Sequence, residues 1–97
     1  MLEFIRENVA PDEILATLAE EAVELSHAAL KLRRTLSDAN PTNISYDDAL
    51  ANLKEEIADV RLLLMVLDFD WYDRDTFSTI EAKLARWVQR LRGEGQP

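Results

Sequence analysis

The sequence predicts an all-α fold, a helical bundle of three to four helices. Three observations carry that prediction. Apolar residues recur at helical spacing over long stretches, as at positions 14, 18, 22, 25, 29, 32 and 36. Only two Gly and three Pro interrupt 97 residues, and no stretch alternates apolar and polar residues as a half-buried strand does. The chain is 47% hydrophobic, enough for an ordered core rather than a disordered coil. Its length fits a single domain over residues 1–97.

Residues 1–10, "MLEFIRENVA", form a short helix or a lead-in segment. Pro11 suits the first turn of the next helix, and Asp12 and Glu13 suit its positive end. The run from Ser37 to Asn43 is turn chemistry and breaks that helix. Ser45 followed by Asp48 is an approximate capping box, opening a second long helix over Asp47 to Asp68 with apolar positions 50, 53, 57, 60, 64 and 67. "DFDWYDRD", Asp68 to Asp75, alternates acids like a calcium loop. An EF-hand needs Gly at its sixth position and Glu at its twelfth, where this chain has Asp73 and Thr79. A last helix follows from Thr76 to Leu91, with Phe77, Ile80, Leu84, Trp87, Val88 and Leu91 as its apolar face, and "GEGQP" is a frayed tail.

Composition excludes several classes of function. The net charge of −8 argues against duplex nucleic acid, which selects clustered Lys and Arg. The absence of cysteine removes disulfides, thiolate catalysis and zinc–thiolate sites. The longest apolar run, Leu62 to Leu67, is too short to span a bilayer, and Glu3, Arg6 and Glu7 interrupt any N-terminal signal pattern. The expectation is a cytoplasmic protein with no membrane partner.

Two stretches share one template: "LAEEAVEL" from Leu18 and "LKEEIADV" from Leu53. A helix advances about 100° per residue. With Leu18 as zero, Ala22, Leu25 and Ala29 fall within about 40° and form a thin apolar seam, while Glu21 lies about 60° and Glu24 about 120° to one side. With Leu53 as zero, Ile57, Val60 and Leu64 form the seam, with Glu56 at about 60° and Asp59 at about 120° on the same side. Antiparallel packing of the two helices brings these edges together. Crowded carboxylates need a counter-charge, and a hard divalent cation with oxygen ligands supplies it. The reading of these residues is therefore a metal site at Glu21, Glu24, Glu56 and Asp59. Glu20 and Glu55 point further round, at about 160°, where they can support the site, hold a water or simply be solvated.

"EEAVE" followed by "EEIAD" resembles the EExxE…ExxD signature of the all-α nucleoside triphosphate pyrophosphohydrolases, the group of MazG-like proteins, over about Leu15 to Leu67. The resemblance implies metal binding by Glu21, Glu24, Glu56 and Asp59, and a bundle assembled as a homodimer or homotetramer. It implies cleavage of the α–β phosphoanhydride of a (deoxy)nucleoside triphosphate to the monophosphate and pyrophosphate, a house-cleaning reaction. Mg²⁺ is the implied cofactor, with Mn²⁺ as a substitute, and a water attacks phosphorus in line. A nearby carboxylate takes the proton, with Glu20 and Glu55 as the candidates.

The chain departs from the family pattern in three places. The segment between Glu24 and Glu56 is a little long. Lys83 is followed four residues on by Trp87, where some relatives carry a substrate-binding Asn. The single His27 does not stand where phosphoribosyl-ATP enzymes place their His. Lys31, about 20° from Glu24 on the wheel, and Lys83, with Arg86 and Arg90, are candidates for phosphate binding. For each the plain alternative is a solvated basic residue. Trp71 and Trp87 fit core or subunit packing better than base stacking. Two other readings stay open: a non-enzymatic helical module that binds itself or a partner, and a degenerate member that binds nucleotide without turnover.

Overall fold

The computed structural model describes residues 1–37, 43–67 and 74–93. Among them are four helices and no strands: α1 (Leu2–Asn8), α2 (Pro11–Thr35), α3 (Tyr46–Val66) and α4 (Arg74–Gly93). The stretch 68–73, which holds most of the would-be calcium loop and Trp71, lies outside the described residues, as do 38–42 and the last four positions.

Local chemistry sets the boundaries. Pro11 opens α2, with Asp12 and Glu13 in its first turn and Arg33 and Arg34 in its last, the arrangement that complements the helix dipole. Ser45 is the N-cap of α3, and its hydroxyl accepts from the Asp48 N–H at 3.1 Å, the forward half of the expected capping box. At its other end α3 has no basic residue in its last turn. Arg6 of α1 supplies one from a distance: its Nε donates to the Val66 carbonyl at 2.9 Å and its Nη2 to the Met65 carbonyl at 2.6 Å. This fixes α1 against the end of α3 and satisfies two carbonyls that would otherwise rely on water.

The core is the α2–α3 hairpin, which forms the largest helix–helix contact in the described chain. Arg6, Val9, Pro11 and Ile14 share a crevice with Val66 and Leu67, so the start of α2 meets the end of α3 and the pair is antiparallel. The buried apolar residues are Ile14, Ala28, Ala49 and Val66. Burying a side chain such as Ile14 or Val66 contributes about 1.5–3 kcal/mol.

The wheel places the seam at Leu18, Ala22, Leu25 and Ala29 of α2 and at Leu53, Ile57, Val60 and Leu64 of α3, and Leu18, Leu25, Leu53, Val60 and Leu64 are half-buried as expected. Ala22 and Ala29 are exposed, and so is Ile57. The residues turned inward on α2 are 14, 18, 21, 25, 28, 32 and 35; on α3 they are 49, 50, 52, 53, 56, 59, 60, 63, 64 and 66. The α2 series steps alternately by four and three, the spacing of a coiled-coil seam, while α3 turns a broader face towards it. The physical reason is width. α2 carries more apolar surface than one neighbour covers, and it packs against α3 along one margin of it.

A second difference concerns α4. Its apolar face forms as expected, but among the described residues no other helix packs along it: Ile80, Leu84, Trp87, Val88 and Leu91 are all between 42% and 65% exposed. α4 has no extended packing against α1, α2 or α3. The molecule is correspondingly open, with a radius of gyration of 17.8 Å; a compact chain of this length has about 12.5 Å.

Candidate metal centre

The middle of the α2–α3 seam is acidic. Glu21, seven residues after Ile14 and seven before Ala28, faces Glu56, seven residues after Ala49. Asp59 stands one turn beyond Glu56 on α3. Carboxylate oxygens of Glu21, Glu56 and Asp59 all lie within 4.8 Å of one another, and all three side chains are half-buried. The helix rotation described above is what puts them there: Glu21 and Glu56 occupy the seam itself rather than its edge.

Glu56 carries the strain of this arrangement. Its Oε2 is shielded from solvent and has no hydrogen-bond partner. Its carboxyl is raised above the ordinary carboxylate range, first by desolvation, then by the charges of Asp59, Glu21 and Glu24, and last by a hydrogen bond shared with Glu21. A shielded carboxylate oxygen among three like charges is an unfavourable arrangement unless a cation or a proton answers it.

The donor set fits a hard divalent cation. All three groups offer oxygen. Around Mg²⁺ at about 2.1 Å, two oxygen ligands stand about 3.0 Å apart when adjacent and about 4.2 Å when opposite. A triad spread over no more than 4.8 Å is close to that size. Three carboxylates leave further positions for water or phosphate oxygens, the usual arrangement for Mg²⁺ in nucleotide enzymes.

The other expected residues fall into place around this triad or away from it. Glu24 is exposed and outside the triad, though near enough for its charge to act on Glu56. Glu20 and Glu55 are exposed neighbours of Glu21 and Glu56. Lys31 is exposed on α2, ten residues beyond Glu21, which is about 15 Å along the helix axis. Lys83 is exposed on α4 in a shallow groove with Arg86, Trp87, Gln89 and Arg90, and the fold does not bring that groove onto the carboxylates. His27 is exposed and forms no part of the triad. One residue escaped the wheel: Asn52, half-buried in the seam one turn before Glu56. Its amide is a neutral donor and acceptor at the rim of the acidic layer. Its spacing of four residues from Glu56 is the signal that locates it.

Compared with known proteins, the chain matches no family model, no curated protein and no solved structure.

Proposed function

We propose that this chain is a Mg²⁺-dependent nucleoside triphosphate pyrophosphohydrolase that works as a homo-oligomer. One observation carries the reading: three carboxylates from two helices converge in the middle of a largely apolar seam, with the Glu56 Oε2 shielded and unpaired. The EExxE…ExxD resemblance supplies the reaction class. Glu21, Glu56 and Asp59 would hold the cation, and Glu24 adds negative charge beside them. When bound, the cation would offset the charge of the triphosphate and of its transition state.

The remaining roles belong to the chain itself. The hairpin holds the carboxylates on two rigid helices, so little reorganisation is needed at the moment of reaction. Glu20 and Glu55, exposed beside the triad, are positioned to order a water and take its proton. Lys31, further along the same helix, would contact the distal end of a polyphosphate.

The test is pyrophosphate release with Mg²⁺ over the canonical NTPs and dNTPs, with Glu56→Gln run in parallel. Release by the wild type and none by the variant establishes the reaction and identifies the nucleotide. Tight nucleotide binding without release identifies a degenerate member. The rival reading, a non-enzymatic helical module, draws on the uncovered apolar face of α4. It predicts no release and no effect of Glu56→Gln on any binding property.

A further inference from the structure

Charge is unevenly spread along this acidic chain. Residues 83–92, "KLARWVQRLR", carry four of the eleven Lys and Arg and no acid. The rest of the chain then holds seven basic and nineteen acidic residues, a net −12. The basic segment is the second half of α4, the helix whose apolar face has no extended packing against the others.

The two features are arranged around one another. Take the midpoint of the apolar face as zero and advance about 100° per residue. Ile80, Leu84, Trp87, Val88 and Leu91 then fall within about 50° of it. Lys83 lies about 90° and Arg90 about 110° to one side, and Arg92 about 90° to the other. Glu81, at about 70° on the Arg92 side, is the one acid on either flank. The back of the helix, more than about 100° away, is Ser78, Thr79, Ala82, Ala85 and Gln89, with Asp75 and Arg86 as its charges. All of these side chains are exposed.

An occupant of this face must be apolar at its centre and negative along both margins. A bilayer surface with anionic headgroups has that layout. Apolar side chains enter the headgroup–acyl boundary, and Lys and Arg on the flanks extend their stems upward to the phosphates. Trp87 is at home there, since indole favours the interface between water and hydrocarbon. From Ile80 to Leu91 the face runs about 17 Å, three turns that can lie flat. The back fits the same picture: its small, mostly uncharged side chains offer little for an enclosing protein groove to grip. No described helix is long and apolar enough to cross a membrane, and a helix lying in the surface plane has no need to be.

We propose that α4 docks this chain on an anionic lipid surface, with Ile80, Leu84, Trp87, Val88 and Leu91 inserted and Lys83, Arg90 and Arg92 on the phosphates. The strongly negative hairpin is repelled by the same surface and stays off it. This inference does not rest on the hydrolase reading.

The experiment is co-sedimentation of the full chain with vesicles of mixed phosphatidylserine and phosphatidylcholine, and with vesicles of phosphatidylcholine alone. The expected result is binding to the first, little to the second, and release by added salt. The double variant Lys83→Glu, Arg90→Glu and the single variant Leu84→Glu are each expected to weaken binding about tenfold or more. Lys54→Glu, an exposed cation on α3, should leave it unchanged.

A second readout gives the orientation. The chain has no cysteine of its own, so an environment-sensitive dye on Leu84→Cys should brighten on anionic vesicles, and the same dye on Ala82→Cys, on the back of α4, should not. Failure to sediment with either vesicle would overturn the proposal, as would equal binding to both. So would a dye signal that is the same at both positions. A chain that ignores vesicles but forms an oligomer dispersed by Leu84→Glu would assign the face to protein instead and overturn the lipid reading.

Discussion

At one end of the α2–α3 seam Ile14 lies level with Val66, and at the other Ala28 lies level with Ala49; all four are buried. Between them Glu21, seven residues from both Ile14 and Ala28, faces Glu56, seven residues after Ala49 and ten before Val66. The backbone environment of the three levels is alike and the chemistry is opposite. An apolar pair in the middle would pack as the end pairs do, without the cost of shielding carboxylates. The ends show what the fold requires, and the middle departs from it.

The sharpest way to break this comparison is catalytic. Loss of supporting residues around a metal costs about 10–100-fold, so loss of a ligand through Glu56→Gln is expected to lower pyrophosphate release by at least about 100-fold while leaving helicity intact. Retained turnover would make the middle level a structural accident. Next in size is an end-level change: Ile14→Ala is expected to cost about 2–5 kcal/mol in urea unfolding, where an effect within error would mean that the ends do not hold the hairpin.

Mg²⁺ sharpens the contrast from the ligand side. It is expected to raise the melting temperature of the wild type, by an amount equivalent to about 2.7 kcal/mol at a hundredfold excess over its Kd. The shift should vanish in Glu56→Gln and survive in Ile14→Ala.

The smallest effect concerns protons. The Glu56 carboxyl is raised in the folded state, chiefly by desolvation and then by its acidic neighbours. Between the unfolded and the raised folded values the native state binds more protons, so stability falls as pH rises through that window. Metal-free protein is therefore expected to lose melting temperature from the ordinary glutamate range upward, and Glu56→Gln to flatten that slope. An unchanged slope would assign the pH dependence to other groups.

Much of this was legible in the sequence. The four helices follow from periodicity, from Pro11 and from the Ser45 cap. The carboxylates Glu21, Glu56 and Asp59 follow from i, i+3 spacing on two helices. The exact facing of the helices was only partly legible: a wheel centred on Leu18 or Leu53 correctly turns Leu18, Leu25, Leu53, Val60 and Leu64 inward, but it counts Ala22, Ala29 and Ile57 as core and moves Glu21 and Glu56 to an edge. The uncovered state of α4 was equally hidden. Amphipathicity in Phe77, Ile80 and Leu84 says that a face needs a partner, not which element provides it.

The contact between Arg6 and Val66 has a consequence for the order in which the molecule assembles. It joins residues 60 positions apart, whereas the hairpin forms across a short connection. Closing the longer loop costs more chain entropy and gains only a few contacts in return. The N-terminal arm should therefore dock last and detach first. In native-state hydrogen exchange the amides of α1 are expected to open well below the free energy that opens α2 and α3. The last turn of α3, left without its guanidinium, would loosen in the same event, so the two ends of the hairpin would differ in lifetime although both are well packed.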